Sequence, residues 1–385
     1  MEIKTVKLGE IAEFANGLNF DKSAYRAGVK IIGVSDFKDY SIPIIDSLAE
    51  VAIDAVKESA RLKENDIIFV RSNGNKDLVG RCMIIPHTSE KLYFSGFCIR
   101  CRFKNTIYAN PRYFLYLFKS PSFRRQLSNT SVGANIQNLS QSRLAMASVP
   151  LPTKEVQDKI ASILSAYDEM IDNCRAQIVL LEEAAQRLYR EWFVDLRFPG
   201  YETTPIGENG LPAGWTIESI GMVCDIKTGR KDANFGGKVG EYPFFTCAQE
   251  PIRANSYSFD TQAIILAGNG DFNVKIFRGK FEAYQRTYVI TTESDLIWLS
   301  YFAIKRNMSK LSAGASGSTI KFLTKGMIED ILFYRPLDSQ LSTFNKIVSC
   351  YFNQLETIKE KLSEVLALRD LLLPRLISGQ IEINA

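Results

Sequence analysis

Residues Thr153–Val194, TKEVQDKIASILSAYDEMIDNCRAQIVLLEEAAQRLYREWFV, run for 42 positions without a proline or a glycine. Apolar residues recur at Val156, Ile160, Ile163, Tyr167, Met170 and Cys174. The steps alternate four and three, the heptad spacing that turns one seam toward a partner helix. A step of four to Ile178 makes a local stutter, and the seam resumes at Leu181, Ala185, Leu188 and Trp192. A second seam runs through Leu341, Phe344, Val348, Tyr351, Leu355, Ile358, Leu362 and Val365, then Leu372, with Pro374 and Gly379 expected to end that helix. Each helix is read as roughly 35–42 residues, or about 50–65 Å. Helices of this kind take their stability from packing against a partner. Either the two pair with each other or each offers its seam to another protein. Two matched seams in one chain favour an intramolecular antiparallel pair. The candidate seam contacts are Ile160, Ile163, Tyr167, Leu181, Leu188, Trp192, Phe344, Tyr351, Leu355 and Leu362.

What precedes each helix also occurs twice. Leu8–Gly17 aligns with Ile220–Gly229, Ile67–Gly74 with Ala263–Gly270, and Ile136–Ser140 with Ile320–Thr324, with Pro152 on Pro336. The spacing between partners falls along the chain, so loops are shorter in the second copy. Each copy holds short β-rich runs, then a helix beginning near Pro111 or Asp295, then the long helix. Phe198–Pro212 is rich in proline, glycine and polar residues and reads as the linker between copies.

Composition narrows the function. With 385 residues, 46% hydrophobic and 23% charged, the chain is an ordinary folded protein of two or three domains. No apolar run approaches the roughly 20 residues of a membrane span, and Met1-Glu2-Ile3-Lys4 does not begin a secretory signal. Seven scattered cysteines fit free thiols in a reducing cytoplasm. The net charge of +4 permits nucleic-acid binding without arguing for it. The one histidine, His87, sits in a turn signal and reads as a surface residue. No phosphate loop GxxxxGK[ST] and no complete GxGxxG are present. Asn110-Pro111-Arg112-Tyr113 has arginine where a base-flipping adenine methyltransferase needs a second proline, and reads as a helix start. Cys98 and Cys101 lack a second cysteine pair, and on a strand they point to opposite faces, so core thiols are expected rather than a zinc site.

What remains are polar loops after apolar strands. Arg71, Asn73, Asn75 and Lys76 follow Ile67–Val70, while Asn269, Asn273 and Lys275 follow Ile264–Leu266. Arginine and asparagine can read guanine and adenine bidentately, and lysine contacts phosphate. Asn-Gly is equally a turn signal. The corresponding placement in both copies favours the DNA reading. Asn135, Gln137 and Asn138, with Ser318 and Lys321 in the second copy, lie just before each long helix in small-residue loops that can approach phosphates.

Together these features resemble the specificity subunit of type I restriction–modification systems. The resemblance rests on Gly133–Leu139 and its partner, on Val149-Pro150-Leu151-Pro152, and on Gln157-Asp158-Lys159-Ile160. Arg187–Asp195 and Leu371–Gly379 with Ile381 extend it. Tyr334-Arg335-Pro336 departs from the Val-Pro-Leu-Pro pattern. The resemblance implies an α+β fold in which two similar target-recognition domains, mixed α/β with small twisted sheets, are separated by two long antiparallel coiled-coil helices in a pseudo-twofold repeat. The expected divisions are 1–150, the helix 151–197, the linker 198–214, 215–336, and the second helix with its tail, 337–385. Each domain would read one half of a bipartite site in double-stranded DNA. The helices would set the unread spacer and dock two adenine-N6 methylation subunits, and through them restriction/translocase subunits. This chain would be non-catalytic and bind no cofactor, S-adenosylmethionine, ATP and Mg being used by its partners in the cytoplasm of a bacterium or archaeon. The rival readings are the recognition subunit of a related enzyme that cuts beside its site, a self-contained DNA methyltransferase or nuclease, and a coiled-coil scaffold.

Overall fold

The computed structural model describes residues 4–37, 40–71, 79–129, 139–292, 294–315 and 321–383. The chain divides into two compact units, Met1–Arg175 with Glu360–Ala385, and Ala176–Lys359. The division falls inside both long helices, so each helix contributes to the core of both units.

Both units are built by one plan, as the repeat implies. In the first, strand Lys4–Lys7 pairs antiparallel with Ser148–Leu151; in the second, Thr216–Ser219 pairs with Leu332–Arg335. The departure at Tyr334-Arg335 therefore leaves the strand pairing intact, with Ile217 opposite Tyr334. A one-turn helix follows, Leu8–Ile11 or Ile220–Val223. Next comes an edge strand, Ala12–Asn16 or Cys224–Thr228. It pairs with Cys98–Phe103 or Thr287–Thr292, which pairs on its other side with Ile67–Val70 or Phe259–Ala267. The first unit adds Cys82–Ile84 to this sheet and carries a separate sheet of Ala49–Val51, Val29–Ile32 and Leu92–Phe94. The second unit extends its sheet to six strands through Val274–Ala283, Tyr242–Phe245 and Ile252–Ala254.

Strand alternation decides what each face buries. Ile99, Cys101 and Phe103 enter a core with Tyr113, Phe114 and Phe118 of the helix Pro111–Lys119, while Cys98 enters the opposite core with Ile68, Val70 and Met83. The two thiols therefore face apart. Asn110 caps that helix by accepting from the Arg112 and Tyr113 amides, and Pro111 follows as the first helical residue. His87 is exposed beside Glu64.

The long helices are Lys154–Phe193 and Asp338–Ile377, 40 residues each. In the first unit Asp168 meets Arg369 at 3.2 Å, and the core holding Val156, Ile160 and Leu164 also holds Leu376 and Ile377, so the segments run antiparallel. In the second unit Lys359 faces Glu182 at 4.0 Å, and Ala185–Phe193 share a core with Leu341, Phe344 and Val348, again antiparallel. The second seam follows the expected register: Phe344 and Leu355 are buried, with Tyr351 and Leu362 half-buried. The first seam needs correction. Ile163 and Met170 are exposed, and Leu164 and Ile171 are buried in their place. Ile160 and Trp192 are buried as expected, and Tyr167, Leu181 and Leu188 are half-buried. The cause is that this half of the helix packs on the core of its domain as well as on its partner, and the wider apolar stripe of a globular helix replaces the narrow coiled-coil seam. Pro374 lies within the second helix instead of ending it. It removes one intrahelical bond, to the carbonyl of exposed Asp370, within a turn of the C-terminus where water can replace it. Gly379, at φ +74°, makes the actual stop. The proline- and glycine-rich segment after the first helix is a packed loop: Phe198 is buried against Trp215, ring centroids 4.8 Å apart, beside buried Leu211.

Candidate nucleic-acid interface

Four chain segments meet at one end of the sheet in each unit, held by the same six backbone hydrogen bonds. In the first unit the turn 95–97 closes with the Cys98 amide donating to the Ser95 carbonyl at 2.9 Å. The Gly17 amide donates to Cys98 and the Leu18 amide to Phe94, while the Gly96 amide donates to the Leu18 carbonyl at 2.7 Å. The Arg71 amide donates to the Phe97 carbonyl, and the Arg71 carbonyl accepts from Leu139, both at 2.8 Å. In the second unit the turn 284–286 closes with Thr287 donating to Tyr284 at 2.8 Å. Gly229 donates to Thr287, Lys231 to Ala283, and Gln285 to Lys231. Gly268 donates to Arg286 at 2.9 Å and accepts from Leu323 at 2.8 Å. The two glycines before the crossing are required by space: a Cβ on Gly17 would stand 2.3 Å from the Phe94 carbonyl oxygen, and one on Gly229 2.2 Å from that of Ala283.

This junction corrects the internal alignment by one residue. Arg71 and Gly268 occupy the same place in the hydrogen-bond pattern, so Val70 corresponds to Ala267, not to Leu266. Matching Asn73-Gly74 to Asn269-Gly270 hid the shift, because the same Asn-Gly dipeptide occurs at different sequence distances from the strand ends Val70 and Ala267.

Described residues flanking the candidate loops, Arg71 and Leu139 in the first unit and Gly268 and Leu323 in the second, meet at the junction. Asn73, Asn75 and Lys76, Asn135, Gln137 and Asn138, and Ser318 lie outside the described residues. Of the rest, Arg71 is half-buried, and its guanidinium donates to the Gly96 carbonyl at 3.3 Å. It lines a cleft of about 800 Å³ with exposed Asn19, Tyr25 and Phe97. Asn269 bridges to Phe322, next to exposed Lys321. Asn273 and Lys275 are engaged within the chain. The Asn273 amide donates to the carbonyls of Cys247 and Asp271, and the Lys275 ammonium donates to the Ala248 carbonyl at 3.0 Å and to the Asn273 side-chain oxygen. Partial burial lowers the Lys275 pKa. These two side chains tie their loop to residues 247–249, as Asp271 does through Gln249.

The structure brings in residues that the sequence motifs passed over. Arg230 and Arg286 are exposed at the junction, and Lys231 sits with its ammonium 4.5 Å from the Phe235 ring centroid. With Lys321 they bring four cations to the end of the second sheet, against the Asp232 carboxylate that accepts from Gln285 of the turn, a local basic cluster of the kind that suits a polyanion. In the first unit Phe97, 58% exposed, holds the position that Arg286 holds in the second. The signal available in the sequence was the glycine closing each copy's first alignment block, Gly17 and Gly229, since the residues after it and the turn it contacts carry these side chains.

The family model described as the type I restriction modification DNA specificity domain matches residues 1–183 and 212–367, once per repeat. The chain belongs to that family. Among relatives, it is 38% identical over 155 residues to the specificity subunit of the Escherichia coli type I restriction enzyme EcoDI, covering 40% of this chain and 35% of that one. It is 24% identical over 301 residues to the MjaIX specificity subunit of Methanocaldococcus jannaschii, covering 71% and 69%. The first match thus spans about a third of its relative's length. The crystal structure of the type I restriction–modification S subunit from M. genitalium superposes over 98% of this chain and 96% of that one with a TM-score of 0.63 at 15% identity, a likeness of fold. No described helix is long and apolar enough to cross a membrane.

Proposed function

We propose that this chain is the DNA-recognition subunit of a type I restriction–modification complex, each unit reading one half of a bipartite site. The observation that carries this reading is the duplicated junction, in which one backbone scaffold presents different side chains in each copy of a DNA specificity domain. A shared scaffold keeps the two units in one docking mode, and different exposed residues give different half-sites. The chain contributes recognition and no chemistry. Two methylation subunits supply S-adenosylmethionine-dependent transfer to adenine N6, and restriction subunits supply ATP- and Mg-dependent cutting in the cytoplasm of the host. The antiparallel helices set the number of unread base pairs and offer the docking surface for the methylation subunits. The test is the methylated motif of cells expressing this chain with its methylation subunits, expected to have two parts. Replacing residues 1–149 with those of another family member should then change one part alone. A change in both parts, or in neither, would defeat the reading.

A further inference from the structure

Within that reading, we infer that the third residue of the junction turn, Phe97 in the first unit and Arg286 in the second, enters a groove of duplex DNA and specifies one base pair of its half-site. Three observations converge. The two residues are equivalent by hydrogen bonding: each carbonyl accepts from the strand-end residue, Arg71 or Gly268, whose own carbonyl is held by Leu139 or Leu323. The turn is therefore fixed on two sides, and its side chain leaves a rigid base, the preorganisation that precise recognition needs. Second, both side chains are exposed but chemically unlike. A large aromatic residue left 58% exposed on a rigid turn forgoes burial, and Phe97 stacks on no other ring among the described residues. Third, the cations of the second unit differ in commitment. Lys275 is engaged with the Ala248 carbonyl and Asn273, whereas the Arg286 guanidinium makes no hydrogen bond or ion pair among the described residues. Arg286 is thus available to an external acceptor, and Arg230 and Lys321 are exposed on segments that join the same junction, where they can meet phosphates.

The chemistry assigns the bases. A guanidinium forms two parallel hydrogen bonds to guanine O6 and N7 in the major groove, and an aromatic edge makes apolar contact with the thymine methyl. Arg286 is accordingly assigned a G·C pair in the half read by the second unit, and Phe97 an A·T pair in the half read by the first.

The test uses the assembled complex of full-length chain and methylation subunits, with Arg286→Ala and Phe97→Ala as separate variants. Each is read by its methylated motif and by the sequences the complex selects from a duplex library. The library reads preference even for a variant that no longer methylates, and thermal unfolding with subunit assembly confirms an intact fold. Arg286→Ala should relax one position of one half-site by roughly tenfold to a hundredfold. Phe97→Ala should relax one position in the other half. Arg230→Ala is the contrast: it should weaken all sequences alike and flatten the salt dependence. An unchanged preference, a uniform weakening by Arg286→Ala, or a change in both halves from a single variant would overturn the assignment. A wild-type complex with no two-part motif would instead defeat the underlying reading.

Discussion

Gly229→Ala isolates the role of the junction, because it adds one methyl group where two segments cross. Its Cβ would stand 2.2 Å from the Ala283 carbonyl oxygen and 2.3 Å from that of Tyr284. Carbon–oxygen contacts ordinarily begin near 3.3 Å, so the turn must retreat by about 1 Å. Gly229 is not in the left-handed region, so the effect is steric, without a backbone penalty. A retreat of that size lengthens the bonds from Gly229 to Thr287, now 3.0 Å, and from Gln285 to Lys231, now 2.9 Å, past the range of a useful hydrogen bond. Two such bonds and the overpacking together come to about 2–6 kcal/mol. Urea unfolding of the full chain measures the loss. The methylated motif of the assembled complex reports the consequence: the half-site read by the second unit degrades and the other half is kept. Gly17→Ala does the reverse. A loss below about 1 kcal/mol with both half-sites intact would show that the crossing is not what holds the turn.

Four further outcomes follow from particular residues. Phe344, fully buried among Phe193, Trp192 and Phe302, should cost about 3–5 kcal/mol as Phe344→Ala, read by urea unfolding. Arg102 holds buried Asp66 by two 2.7 Å contacts, so Arg102→Ala should cost about 3–5 kcal/mol by removing that carboxylate's ion-pair partner, more than Asp66→Asn combined with Arg102→Ala costs. Burial pushes the Cys82 and Cys98 thiols up to about 11 and about 12. Each folded value exceeds the unfolded value of about 8.5, so this stability is complete below that pH and is lost as pH rises through 11 and 12; replacing both with alanine should flatten the fall in urea midpoint above pH 9. A four-residue insertion near Gln177 adds about 6 Å of helix at 1.5 Å per residue and should lengthen the unread spacer by one or two base pairs of about 3.4 Å; an active variant with an unchanged spacer would show that the helices do not set it.

The helices were legible because their signal is local and long. The first helix, forty residues without a breaker and with apolar positions at helical spacing, permits little else, and the second carries the same spacing up to Pro374. The face that the first helix buries was less legible. Ile163 and Leu164 are adjacent and both apolar, and only the domain core at that level chooses Leu164. The placement of the candidate residues was legible only for some of those described. Arg71, Asn269 and Lys321 do sit at the junction, but whether a lysine or asparagine is spent inside the protein depends on neighbours far along the chain, as Cys247 and Ala248 are for Asn273 and Lys275.

By itself, then, the sequence determined the duplication, the two long helices, the opposed faces of Cys98 and Cys101, and the helix start at Asn110-Pro111. The duplication shows in side-chain patterns that recur in the same order, and the rest depends on residues close in the chain, through helical and strand periodicity and the fixed φ of proline. Only the tertiary structure decided that Arg71 corresponds to Gly268, that Phe97 and Arg286 share one position, and that Gly17 and Gly229 hold their turns. Those facts are backbone hydrogen bonds between segments from about 20 to more than 70 residues apart. A carbonyl and an amide are the same in every residue, so no side-chain pattern announces which pair will meet.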